Sequence, residues 1–185
     1  MRPLITAGRV VLGGYLAAHG AQKLFGSFDG PGLDAAAQGF GAMGLKPPRE
    51  MAALAGGSEL VGGILTATGT ADPLGPVMIA GAMTVATAVH RKGGPFAAKG
   101  GYEAALTNLA FAGALAAIDG HHRLTKPLPK SAVAVLGAGA AALTGLSLVQ
   151  LWQAEQRRKA AAVADAAVVA AEAAADDDAA LAAVG

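Results

Sequence analysis

Between Lys130 and Glu155 the chain runs without a single charged residue, and the stretch from Pro73 to Val89 is equally clean. A helix needs about 20 mostly apolar residues to cross a bilayer. Five segments approach that pattern, at 3–25, 51–70, 73–90, 102–119 and 131–152. The second carries one charge, Glu59, and the first carries Arg9 and Lys23 with His19 between them. The pattern predicts an all-α fold, an integral membrane helical bundle of four core spans at 1–130 and a fifth transmembrane helix within 131–153. A low-complexity, Ala-rich tail follows at 154–185. It reads as helix by propensity, but it has no apolar stripe, and Asp176, Asp177 and Asp178 oppose the helix dipole. Fraying is expected there unless a partner holds it.

The connections carry their own signals. Gly69–Asp72 is short enough for a tight helical hairpin. The longer link from Gly26 to Glu50 holds Gly30-Pro31-Gly32 and Pro47-Pro48. Within it Asp34 is placed to cap a short helix whose Phe40, Met43 and Leu45 rest at the interface. His121 and His122 fall in the loop from Gly120 to Lys130 and read as solvated.

Composition agrees with a membrane solvent. Of 185 residues 54% are apolar and 15% charged, against roughly a quarter charged in soluble domains. Arg9 interrupts the first apolar stretch, and no small-residue cleavage site follows, so this stretch reads as a retained span rather than a signal peptide. A net charge of +1 offers no basic field for nucleic acid. The absence of cysteine excludes disulfide exchange and thiolate metal sites, and no haem or nucleotide motif is present.

Ionisable residues inside spans are costly and mark candidate sites. Successive spans run antiparallel, so the end of the first, the start of the second, the end of the third and the start of the fourth share one side. That brings His19, Gln22, Lys23, Glu59, His90, Tyr102 and Glu103 into one half of the bilayer. His19, Gln22 and Lys23, spaced i, i+3, i+4, share a helix face. Arg9 falls about 80° from His19 on the helical wheel and extends that face toward the opposite side. Glu59, roughly 13 Å below the start of its span at 1.5 Å per residue, is the natural counter-charge for Lys23. A plain structural role competes with each assignment: an ion pair can simply fix register, and backbone carbonyls can satisfy the two histidines.

The stretch His19-Gly20-Ala21-Gln22-Lys23-Leu24-Phe25-Gly26 resembles the signature of the DoxX family of bacterial membrane proteins. Glu59-Leu60-Val61-Gly62-Gly63 is similar to that family's second element, and Gly100-Gly101-Tyr102-Glu103 to its third. The resemblance covers roughly 4–119. It implies a four-helix bundle in the bacterial inner membrane, with relatives associated with quinone-linked sulphur oxidation or redox-stress partners. It does not deliver a reaction.

Three readings therefore stay open. The polar cluster binds a quinone head group or similar molecule, with Lys23 or His19 donating to a carbonyl and Glu59 or Glu103 handling protons. Alternatively His19, Glu59, His90 and Glu103 form a metal site. Or the chain is an accessory subunit that meets other membrane proteins through 131–185. With five spans, the positive-inside bias puts the tail in the cytoplasm and the N-terminus outside.

Overall fold

A computed structural model describes residues 2–118 and 128–182. Those residues form six α-helices and no strand: α1 Arg2–Phe25, α2 Gly32–Met43, α3 Pro48–Thr68, α4 Leu74–His90, α5 Glu103–Ala117 and α6 Lys130–Ala182. His121 and His122 lie outside the described residues.

Small residues decide how the helices stack. On α3 the buried positions Ala52, Gly56, Glu59, Gly63 and Thr66 recur at alternating steps of four and three, giving one continuous inward face. Helix α1 lies against that face so closely that a methyl group on Gly63 would sit 2.5 Å from the Gly13 carbonyl oxygen. Helix α3 hands on to α4, which packs against both α5 and α6. Leu12 and Leu16 of α1, Ile79 and Met83 of α4, and Ala105, Ala112 and Leu115 of α5 form the buried apolar core.

The α3–α4 hairpin turns at Gly69, whose φ of 66° is left-handed and costs a glycine little. The short α2 helix forms where the sequence predicts one, but its cap differs. Pro31 occupies the N-cap, and Asp34 lies in the first turn, where it pairs with Arg49. Leu45 is fully buried rather than interfacial.

Among the described residues, two helices are long and apolar enough to cross a membrane, Pro48–Thr68 and the stretch Lys130–Ala174. Helices α4 and α5, at 17 and 15 residues, fall short of the usual 20 or so. Helix α1 has the length, but Arg9, His19 and four glycines dilute its apolarity. The tail is helical, as its alanine content predicts. Helix α6 continues unbroken for 53 residues, since no Gly or Pro occurs between Gly145 and Gly185 and Ala dominates.

Around that apolar core, several charges are buried while many large apolar side chains face outward. Arg9, Glu59 and Asp72 are buried, while Leu4, Val11, Phe111, Val135 and Trp152 are exposed.

Side-chain hydrogen bonds and ion pairs tie helix α6 to the rest near its middle. Gln150 accepts from the Lys46 amide and donates to the Lys46 carbonyl, at 2.9 and 2.8 Å. Arg158 donates to the Ala42 carbonyl. Glu155 meets Arg91 at 2.8 Å, Lys159 at 3.3 Å and Lys92 at 3.7 Å. The Lys159 hydrogen bond, helped by the charges of Lys92 and Arg91, holds the Glu155 carboxyl below its ordinary range. A depressed acid contributes stability above its unfolded pKa and loses it as pH falls through the folded one. The Glu155 ties of this clasp are therefore unaffected from neutral pH down to the usual carboxylate range, and loosen only below it. The chain has no native cysteine, so spin labels on introduced cysteines at Ala98 and Ala161 report this directly. The distance distribution should broaden in acid, and already at neutral pH in Glu155→Gln. An unchanged distribution in that variant would remove Glu155 from the clasp.

Candidate functional site

Helix α1 presents Tyr15, His19 and Lys23 at four-residue spacing to the gap between α3, α4 and α5. Lys23 Nζ lies 2.5 Å from both Oε1 and Oε2 of Glu59. The Glu59 side chain is 4% exposed and that of Lys23 is 26% exposed. A carboxylate this deep needs such a partner, because an unpaired buried charge costs several kcal/mol or forces a proton onto the group. The pair is held in place by the close contact of α1 on α3, with Gly20 resting against the backbone of Gly56 and Leu60.

These residues line a cavity of about 260 Å³, together with His90 from the end of α4 and Asn108 from α5. His90 Nδ1 is 3.1 Å from the Gly100 carbonyl. A carbonyl can only accept, so Nδ1 carries the proton, and in the neutral ring Nε2 is left as an acceptor. Gly101 seals the loop beside it, its amide donating to the Phe96 carbonyl. The rings of Tyr15 and His19 meet edge to face with centroids 4.9 Å apart.

Of the seven polar residues that the sequence groups together, His19, Lys23, Glu59 and His90 line this cavity. The other three do not. Gln22 points toward the turn after α1, with its Cβ against Gly30 and its Nε2 3.5 Å from the Phe28 carbonyl. Tyr102 occupies the N-cap of α5. Glu103 is exposed in that helix's first turn. No group of three or more His, Asp or Glu side chains among the described residues is arranged to hold a metal ion. His19, Glu59, His90 and Glu103 therefore do not form a ligand set, Glu103 being exposed and outside the cavity lining.

Sequence reasoning missed Tyr15 and Asn108. Tyr15 stands four residues before His19, and Asn108 is a lone amide within an apolar helix, so both carried a signal. It also missed Asp72. Arg9 does not extend the His19 face; it pairs with Asp72, Nη1 to Oδ1 at 3.1 Å and Nη2 to Oδ2 at 2.7 Å. This second pair ties α1 to the α3–α4 turn.

Lys23, Glu59, Ala86 and His90 also line a second, larger cavity of about 650 Å³. It runs along α3 and α4 and is walled on its far side by α6, with apolar side chains nearly throughout.

An all-helical chain with charges inside and bare hydrocarbon outside belongs with proteins whose surroundings are lipid. Comparison with known families agrees. The model of the DoxX family, which is membrane-associated, matches residues 4–91, and that stretch of the chain is a DoxX domain. That stretch contains the first two of the three resembling motifs and ends one residue past His90. No curated protein and no solved structure matches the chain.

Proposed function

We propose that this protein is a multi-pass component of the bacterial inner membrane that binds a small hydrogen-bonding molecule, such as a quinone head group, between Lys23, Glu59 and His90. The observation that carries the reading is the Lys23–Glu59 pair, buried yet facing a cavity. A pair kept only for register would be expected to be packed on all sides. This one has open space beside it, at least one ammonium N–H not needed by the carboxylate, and an imidazole acceptor from His90. A carbonyl oxygen could accept from Lys23, and a hydroxyl could donate to His90. Glu59 would be the nearest carboxylate for proton exchange. Electrons, in any redox role, would come from a partner, because the chain has no cysteine and no cofactor motif.

Five crossings fit this reading. The two short helices are flanked by other helices of the bundle rather than standing alone in lipid. The α6 clasp also joins Arg91, Lys92, Arg158 and Lys159 at one end, the end that positive-inside bias assigns to the cytoplasm. We divide the chain accordingly into a core at 1–130, a fifth span at 131–153 and a tail at 154–185.

Native mass spectrometry of protein extracted gently from its own membrane tests the pocket. The wild type should carry a small ligand that is lost in Glu59→Gln and depleted in His19→Ala. Equal occupancy in all three would sink the reading.

One observation favours a second role beside the first. Beyond Lys159 every described side chain of α6 is exposed, so this segment is available to another membrane subunit. Deletion of 160–185 should then release a co-purifying partner while the bundle stays folded.

A further inference from the structure

Resting on that reading, we infer that the occupant is an amphiphile with an uncharged head and a long apolar chain, which fills both cavities at once. Sites for small molecules span roughly 300–1,000 Å³. The polar cavity, at about 260 Å³, falls below that range and accommodates a head group alone. The larger one, at about 650 Å³, lies well inside it.

The two cavities meet at one place. Lys23, Glu59 and His90 belong to the walls of both, so whatever hydrogen-bonds there has its remaining atoms directed into the groove. Away from that junction the groove is lined by Met51, Met78, Val85, Val135, Gly139 and Leu143, with only hydroxyls as further polar groups. Methionines and small residues suit a flexible chain, since thioether side chains adapt their shape and glycine leaves room.

Charge selects the head. Lys23 is already neutralised by Glu59 at 2.5 Å, and His90 Nδ1 is committed to the Gly100 carbonyl. A phosphate or carboxylate head would lie beside Glu59 with no spare cation, a costly arrangement at low dielectric. A carbonyl or hydroxyl meets one donor and one acceptor without adding charge.

Helix α6 supplies the outer wall, and its Gly139 offers a clean way to block the groove. A Cβ at Gly139 meets nothing within 4 Å, so a larger side chain projects into space rather than into a neighbour. Gly137 is equally unobstructed but lies off the groove wall, which makes Gly137→Phe a matched control.

The test uses a decyl-tailed benzoquinone bearing a diazirine at the end of its tail, with the full-length protein in lipid nanodiscs. Photolabelled residues are mapped by mass spectrometry. Labels should concentrate on Val135, Met78 and Leu143, at several times the level on the exposed Val11 and Phe111. Gly139→Phe should abolish that preference and Gly137→Phe should retain it. Labelling no stronger in the groove than on Val11 and Phe111 would overturn the proposal. So would equal groove labelling by a phosphatidylglycerol carrying the same tail, since the head would then be anionic. Groove labelling that survives Glu59→Gln undiminished would leave the chain site standing but remove the head from Glu59, overturning the function proposed above.

Discussion

Replacing Asp72 by leucine is expected to destabilise the fold by about 3–5 kcal/mol, the range for stripping one partner from a buried ion pair. The Arg9 and Asp72 side chains are 3% and 1% exposed and joined by two parallel hydrogen bonds. Without the carboxylate, a guanidinium that does not deprotonate in proteins is left in an apolar interior. The reverse change, Arg9→Met, should cost less, because the orphaned Asp72 can escape by taking up a proton. The double variant Arg9→Met/Asp72→Leu should recover most of the loss, because two well-packed apolar side chains often match or exceed a buried pair. Arg9 Nε has no hydrogen-bond partner, a further sign that the pair is imperfectly satisfied. Reversible unfolding in mild detergent, set out as a double-mutant cycle, measures all three. Equal damage from both single changes would contradict the protonation argument, and additive damage in the double would refute the pairing itself.

That pair also marks where the sequence stopped being informative. Lys23 could be matched to Glu59 because both lie within apolar helices, and antiparallel succession brings their ends together. Asp72 sits in a turn beside Thr70 and Pro73, where a carboxylate ordinarily faces water, and nothing local signals its burial. Arg9 was therefore left without a partner and assigned to the wrong face. Gln22 failed for the opposite reason. Its helical spacing puts it near Lys23, but the turn that follows α1 folds back and Gly30 comes to rest on it. The hairpin, the short α2 and the apolar helices followed from periodicity and turn residues. The role of α6 did not, since a uniformly small and apolar helix has no preferred face until Gln150, Glu155 and Arg158 find their acceptors and donors.

Substituting Gly63 tests the link between packing and the site. A Cβ there would lie 2.5 Å from both the Gly13 carbonyl oxygen and the Ala17 amide nitrogen. Both obstacles are backbone, so no rotamer change relieves the clash and α1 must move away from α3. Even Gly63→Ala should cost roughly 1–3 kcal/mol, with Gly63→Val at or above that range. Neighbouring glycines give the control. A Cβ at Gly14 or Gly57 meets nothing, so Ala at either is expected to be neutral, or stabilising by up to about 1 kcal/mol through helix propensity. Adjacent residues such as Gly13, blocked by the backbone of Gly63 and Ala67, and Gly14 thus carry opposite expectations, which hydrophobicity or helix propensity alone would not produce. The functional consequence is specific as well. Lys23 and Glu59 ride on the two helices that Gly63 holds together, so a shift of α1 by one methyl radius stretches a 2.5 Å contact beyond hydrogen-bond range. Gly63→Ala should therefore lose bound ligand as Glu59→Gln does, while Gly57→Ala keeps it. Retained ligand in a measurably destabilised Gly63→Ala would mean that the pocket does not depend on the α1–α3 contact.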